Sequence, residues 1–373
     1  MEGLFQYFMP VKLCVGAGES RKVSQYIKGD NIFIISDPFL YQNGLAQTIG
    51  DSLAGKNVKY FFEVEPNPSC ESVDKAAGQA REMKADCVIG LGGGSALDVS
   101  KIVSCLVTNE GSIYDYYAGG SRQLKKREIT LMCIPTTAGT GSEVTNVGVY
   151  TNKKAGIKMP MVNDELWADY AVVDYELTYT LPAAMTASTG MDAFCHAIEA
   201  YWNKGANPVC DMLAIGAMEL VLNNIEIACQ KPQDDEARAK MMEASLIAGI
   251  AFSQTRTTGV HALSFPLTTE FHANHGTACA ITLPAFIKIS EEKQGEKMKR
   301  LAKYLGYNTV DELANGIWAL MKKIGLPVRL SQLGVKETDL QHITEVGLGA
   351  VIMQLTPATM NEETVYQLLQ SIL

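Results

Sequence analysis

The apolar pattern of this chain changes once, near its middle, and that change limits the fold more than any other feature. Up to Asp174, short apolar runs alternate with amphipathic stretches. NIFIISD (Asn31–Asp37), VKYFFEVE (Val58–Glu65), DCVIGLG (Asp86–Gly92), ITLMCIP (Ile129–Pro135), NVGVYT (Asn146–Thr151) and YAVVD (Tyr170–Asp174) read as strands. Between the second and third runs, Asn67 or Ser69 can cap a helix whose first turn suits Pro68. Val73, Ala76, Ala77, Ala80 and Met83 then recur at helical spacing, and SALDVSKIVSCL (Ser95–Leu106) reads as the next helix. Such alternation predicts a mostly parallel sheet covered by helices. Beyond TYTLPAAMTASTG (Thr178–Gly190) no run reads as a strand. Met185–Trp202, Pro208–Gln230, Asp235–Gln254 and Asn308–Ile324 carry helical periodicity, punctuated by Lys231–Pro232 and Gly325–Pro327.

A chain of 373 residues is too long for one ordinary core. The expectation is an α/β domain with a Rossmann-like parallel sheet over 1–181, followed by an all-α domain over 182–373. The net charge of -9 argues against a nucleic-acid or anionic-membrane partner, while leaving room for a local basic pocket. The nine cysteines are odd in number, lack CxxC spacing and mostly sit in apolar runs. They read as free thiols in a reducing compartment. MEGLFQYFMP has no basic segment leading into an apolar one, and no uncharged apolar run reaches 18 residues. A cytoplasmic protein is expected.

Two glycine-rich loops follow strands. GLGGGSALD (Gly90–Asp98) ends a buried strand and opens a helix, whose free N–H groups and positive dipole end suit a pyrophosphate. PTTAGTGSE (Pro135–Glu143) offers the hydroxyls of Thr136, Thr137, Thr140 and Ser142. Two such loops at strand ends of one sheet point to a nucleotide lying across its edge. Asp37 closes the first strong strand; a carboxylate there accepts from a ribose 2′-hydroxyl and repels a 2′-phosphate, which favours NAD over NADP. The alternative is a plain Asp–Pro turn.

The chain has only five histidines, and three of them fall in HALSFPLTTEFHANHG (His261–Gly276). In MDAFCHAIEA, Asp192 and His196 stand at i and i+4, on one face of a helix. With His261 and His275, which would bridge a helix and a loop, they make a set of one carboxylate and three imidazoles. That set suits Fe²⁺ or Zn²⁺ rather than the oxygen-seeking Ca²⁺ or Mg²⁺. Taken singly, each has an ordinary reading: Asp192–His196 as a hydrogen-bonded pair, His261 as a core histidine, His272 as a peripheral one.

GLGGGSALDVSK, PTTAGTGSEVT, TASTGMDAFCHAIEAYW and HALSFPLTTEFHANHG, in this order and spacing, resemble the iron-activated (group III) alcohol dehydrogenases. The resemblance runs from Asp37 to about Pro284. It implies a dehydroquinate synthase-like architecture, with a dinucleotide-binding domain, a helical metal domain and the active site in the cleft between them. It also implies homodimers or larger assemblies. By this resemblance the metal ligands fall on Asp192, His196, His261 and His275. The pyrophosphate loop falls on Gly92, Gly93, Gly94 and Ser95, with Asp98 closing it. The second cofactor loop falls on Thr136, Thr137, Thr140 and Ser142, and a cofactor lysine on Lys158. Phe265 departs from the pattern, because many members carry a histidine there as a proton relay. Water, ribose hydroxyls or His272 would then deliver the proton.

TRTTGVHALSFPLT is similar to a branch that includes phosphonoacetaldehyde reductases, whose substrate is anionic; Arg256 or His272 would meet its charge. The expected activity is reversible hydride transfer between NAD(H) and a small primary alcohol or aldehyde, with Fe²⁺ or Zn²⁺ as Lewis acid and His261 and His275 in the catalytic centre. Two other readings share the fold: a lyase resembling dehydroquinate synthase, and a catalytically silent binding protein.

Overall fold

The computed structural model describes residues 5–373, so the leader reading of Met1–Pro10 falls partly outside it. The chain divides into two compact units. One comprises Met9–Thr137 and Gly141–Thr178; the other comprises Tyr179–Leu373 with Ala138–Thr140 and the residues up to Phe8.

The first unit holds strands β1 (Lys12–Val15), β2 (Asn31–Ser36), β3 (Asn57–Phe61), β4 (Cys87–Gly92), β5 (Thr130–Pro135), β6 (Val147–Asn152), β7 (Ile157–Val162) and β8 (Tyr170–Val173). Six of them form one sheet in the order β1-β8-β5-β4-β2-β3, with every neighbouring pair parallel. Helices α1 (Pro38–Gln42), α2 (Leu45–Asp51), α3 (Cys70–Glu82) and α4 (Gly94–Leu106) connect the strands. β4 is buried along its whole length, as a central parallel strand covered on both faces must be. The period of two sends Ile32 and Ile34, Cys87, Ile89 and Leu91, and Met132 and Ile134 to one side, where they pack with Val23, Ile49 and Leu53. Each fully buried aliphatic chain of this kind contributes about 1.5–3 kcal/mol.

Some sequence expectations shift. The run expected over Val58–Glu65 is β3 and stops at Phe61, and Glu65 beyond it accepts from the Ser69 amide. Ser69 caps α3, receiving the Ser72 amide, so Pro68 lies before the cap rather than in the first turn; its carbonyl instead accepts from Thr151. NVGVYT does not join the parallel sheet. As β6 it pairs antiparallel with β7, a strand the sequence pattern did not reveal. β1 was missed as well: it has four residues on the sheet edge, and most of them are exposed.

The second unit is helical, with no strand among the described residues. Its helices are α5 (Ala183–Trp202), α6 (Pro208–Gln230), α7 (Asp235–Thr255), α8 (Gly259–Thr269), α9 (His275–Ala280), α10 (Leu283–Tyr304), α11 (Val310–Lys323), α12 (Leu340–Gly349) and α13 (Glu362–Ser371). α11 starts two residues later than the periodicity suggests, because Thr309 caps it through the Glu312 amide. α5 runs through the centre of this unit, packed against α6, α7 and α9, and is buried almost continuously from Thr186 to Trp202. α6 is long and apolar enough, by composition, to cross a membrane, with a mean hydropathy of 1.5 over its best window. It carries Asp211, which pairs with Lys297 on α10, and it lies against α5 and α7.

Candidate active site

The first unit carries a candidate nucleotide-binding edge of its own. From β2 the chain steps outward to β3 and then crosses back to β4, so the strand order reverses between β2 and β4. That reversal leaves a crevice at the carboxyl ends of the strands. β2 delivers Asp37 there, β4 delivers Gly92, and β5 delivers Thr136, whose amide donates to the Gly92 carbonyl at 3.0 Å. Gly92 has φ 150, and a Cβ there would stand 2.8 Å from Cβ of Ala96. Only glycine allows so tight a passage from strand to helix. Gly93 then caps α4, with Thr137 beside it, and the first turn of α4, Gly94 to Ala96, presents its amides. Asp37 also caps α1, accepting the Leu40 amide through Oδ1 at 2.9 Å, while Oδ2 lies toward Gly92.

Asp98 and Ser142 are held by the protein itself. Ser142 Oγ donates to Asp98 Oδ1 at 2.7 Å, and the Val149 amide donates to Oδ2 at 2.9 Å. Lys101, fully buried, donates to Ser142 Oγ, Thr145 Oγ1 and the Val147 carbonyl. Burial pushes the Lys101 ammonium down and the Asp98 carboxyl up, and the pair 3.8 Å apart counters both shifts. This knot ties α4 to the second loop, and the sequence pattern did not single out Lys101. Glu143 was missed too; burial pushes its carboxyl up to about 7. Lys158, on β7, donates to Asn67 Oδ1 at 2.7 Å. The second loop is shared: Thr136, Thr137 and Ser142 belong to the first unit, and Thr140 to the second.

A histidine-rich cluster is built wholly within the second unit. Asp192, His196 and Glu199 lie at i, i+4 and i+7 on α5, hence on one face, and all three are buried. His261 sits in the first turn of α8. His275 opens the short helix α9, where the sequence reading had placed a loop. Gly276 lets α9 reach α5: a Cβ there would stand 2.0 Å from the Ser188 carbonyl oxygen. Asp192 Oδ1 is thereby 3.6 Å from His261 Nε2 and 3.7 Å from His275 Nε2. Donor atoms of Asp192, His261, His275 and Cys279 all lie within 4.8 Å of one another. His196 borders this group. Its ring stacks between Phe252, at 4.2 Å, and His261, at 4.5 Å, and its Nδ1 faces the Gly139 carbonyl at 3.2 Å. An imidazole that donates from Nδ1 keeps the Nε2 lone pair for a metal.

Glu199 is a further residue that sequence reasoning did not find. Its Oε2 pairs with His261 Nδ1, and its Oε1 accepts from the Thr258 and Val260 amides and the Thr258 hydroxyl. It thus caps α8 from α5 and points Nε2 of His261 toward Asp192. The available signal was the spacing: a third polar residue on the Asp192–His196 face.

Charge fits the same picture. Burial alone would raise the Asp192 carboxyl, but His196, His275 and His261 outweigh it and hold it far below the carboxylate range. Burial pushes the His196 imidazole down to about 4, leaving it neutral near neutral pH. For Glu199, His261 and Thr258 overcome the burial penalty and keep the carboxylate ionised. Asp192 Oδ1 and His261 Nε2 are buried with no hydrogen-bond partner among the described residues. A buried carboxylate and imidazole facing each other without a bond are costly unless a cation joins them, so these residues fit a divalent metal.

His272 stands apart from this group, exposed, with φ 55 in the left-handed region. Phe265 lies one turn after His261 on α8, half-buried. Arg256 precedes α8 with φ 71, a strained value for a residue with a side chain, and its guanidinium donates to the Ser253 carbonyl.

Comparison with known proteins bears on these features. Residues 10–175 match the model of the iron-containing alcohol dehydrogenases, and residues 186–373 match that of the C-terminal part of the Fe-containing alcohol dehydrogenase family. The chain is 36% identical over 330 residues to long-chain-alcohol dehydrogenase 1 of Geobacillus thermodenitrificans, covering 84% of this chain and 82% of that one. It is 32% identical to the sulfoacetaldehyde reductase of Bilophila wadsworthia, covering 98% of both. The crystal structure of the sulfoacetaldehyde reductase of Bifidobacterium kashiwanohense in complex with NAD⁺ superposes with a TM-score of 0.94 at 36% identity, over 99% of each chain. The dehydrogenase reading therefore stands over the lyase and silent-protein alternatives, and the chain belongs to the iron-containing alcohol dehydrogenase family of oxidoreductases acting on CH–OH groups.

Proposed function

We propose that this chain is a metal-dependent, NAD-linked reductase of a small anionic aldehyde, a sulfonate or phosphonate, also able to run in reverse on the alcohol. The observation that carries the metal centre is the convergence of Asp192, His261 and His275, with Asp192 Oδ1 and His261 Nε2 buried and unbonded. Asp192, His196, His261 and His275 would hold one Fe²⁺ or Zn²⁺. When bound, the metal supplies Lewis-acid stabilisation of the charge that develops on the substrate oxygen, and NAD(H) supplies the hydride chemistry.

The chain's own residues prepare the site. Glu199 and the Gly139 carbonyl fix the orientation of His261 and His196. The loop from Gly92 into the first turn of α4 at Ser95 would bind the pyrophosphate, and Thr136, Thr137, Thr140 and Lys158 would line the cofactor. Asp98 and Ser142 brace those loops from behind. Asp37 Oδ2 would accept from the adenosine ribose, which favours NAD. With Phe265 one turn beyond His261, no imidazole follows on that face, and water would supply the proton to the substrate oxygen. The free cysteines, seven of the nine buried, suit a reducing cytoplasm, where the protein would act as a homodimer or larger assembly.

The anionic substrate is favoured by the likeness to two sulfoacetaldehyde reductases along nearly the whole chain. Arg256, held in a strained turn five residues before His261, is the cation assigned to the acidic group. The test is turnover of NADH and NADPH with a panel of neutral, sulfonated and phosphonated aldehydes. The anionic aldehydes should be preferred, with NADH over NADPH. Arg256→Ala should raise their KM about tenfold or more and leave neutral aldehydes unchanged. Equal turnover of neutral and anionic aldehydes, or an Arg256→Ala effect common to both, would refute the anionic assignment.

A further inference from the structure

We infer that Cys279 supplies a thiolate ligand to the metal in this chain, so that the centre mixes carboxylate, imidazole and sulfur donors. The inference rests on the metal centre proposed above and goes beyond its three imidazoles and one carboxylate. Cys279 lies one turn after His275 on α9, at i+4, and the two therefore share a face. Its Sγ is 3.9 Å from His275 Nε2, and its donor atom lies with those of Asp192, His261 and His275 inside one 4.8 Å group. Four ligand atoms at about 2.0–2.3 Å from one ion stand about 3.3–3.8 Å apart in a tetrahedral set. The widest pair of the group therefore closes by about 1 Å at most on taking up a metal, within the reach of side-chain rotation.

A second observation is independent of the cysteine. Asp192 is 2% exposed and His261 4%, and each aims an unbonded polar atom, Oδ1 and Nε2, into the space that Cys279 borders. His196 is not in that tight group; it flanks it from the face of α5.

Sulfur changes what the site selects. A thiolate is a soft donor and shifts preference toward Zn²⁺ over Fe²⁺. With Asp192 it brings two negative charges, which neutralise a divalent ion and temper its pull on a substrate oxygen. On ligation the S–H proton leaves to solvent, so the step is a proton exchange with no redox change.

The experiment uses the full chain, stripped of metal and titrated with Co²⁺ alone. The expected result is visible d–d absorption together with an intense near-ultraviolet sulfur-to-cobalt charge-transfer band. Cys279→Ser should lose the charge-transfer band and keep the d–d bands. Cys195→Ser, a neighbouring buried thiol on α5, should keep both. Visible bands without the sulfur band in the unaltered protein would overturn the thiolate while leaving the metal centre standing. A band lost in Cys195→Ser and kept in Cys279→Ser would overturn it as well. Failure to bind Co²⁺ at all would overturn both this inference and the metal reading. Should Cys279→Ser not fold, X-ray absorption of the unaltered zinc protein decides: a sulfur neighbour at about 2.3 Å supports the assignment, and only nitrogen and oxygen at about 2.0–2.1 Å refutes it.

Discussion

At the residue scale, the most informative side chain outside the expected set is Glu199. It is fully buried, and its two oxygens serve two ends: Oε1 the first amides of α8, Oε2 the imidazole of His261. Glu199→Gln keeps the shape and most of the acceptor capacity but removes the charge behind the imidazole. Metal affinity, measured by competition with a chelator, should fall about 10–100-fold. A purely structural role would lower the melting temperature and leave that affinity unchanged. The sequence singles out Asp192, His196, His261 and His275 because histidine is rare here and Asp–x3–His has a helical spacing. It does not single out Glu199 or Cys279. The spacing of Glu199 puts it on the Asp192–His196 face, but neither it nor the Cys in HGTACA shows its partner until α5, α8 and α9 are packed together. Asp37 illustrates the converse: the plain turn reading holds, since it caps α1, and the ribose contact is part of the proposal above.

At the element scale, the site depends on how closely α9 can approach α5. Gly276 permits the contact, for a Cβ would fall 2.0 Å from the Ser188 carbonyl and 3.0 Å from Asp192 Cβ. Gly276→Ala should destabilise the protein by about 1–3 kcal/mol and weaken metal binding together, because the backbone that carries His275 must move. Gly216→Ala on α6 is the control. Nothing lies within 4 Å of its Cβ position, so the change should be neutral or stabilising by up to about 1 kcal/mol in a denaturant titration. The helices α5, α6 and α7 were readable from their length between turn residues, and the strands β2, β4 and β5 from short, nearly continuous apolar runs. β7 was not: its IKMPMV carries a lysine and a proline, and it survives only as one side of a two-stranded hairpin. β1 is too short and too exposed to show a pattern.

At the scale of the whole molecule, the sequence pattern conveyed two classes of architecture in chain order, a parallel sheet followed by helices. It did not reveal that Ala138–Thr140 leaves the first unit to join the second. That short excursion brings the Gly139 carbonyl to His196. A three-residue exchange between units leaves no trace in periodicity, because it is decided by long-range packing. The consequence is thermodynamic. If the four ligands and Glu199 form a centre only in the folded helical unit, metal binding and folding are linked, and an ion at 100 times its dissociation constant stabilises the fold by about 2.7 kcal/mol. The most direct test is to titrate the metal-stripped protein with Zn²⁺ or anaerobic Fe²⁺ while following melting temperature and NADH-dependent aldehyde reduction on the same samples. One equivalent of metal should raise the melting temperature and restore turnover together, and His261→Ala should show neither response; full turnover without metal, or a melting temperature indifferent to it, would contradict the account.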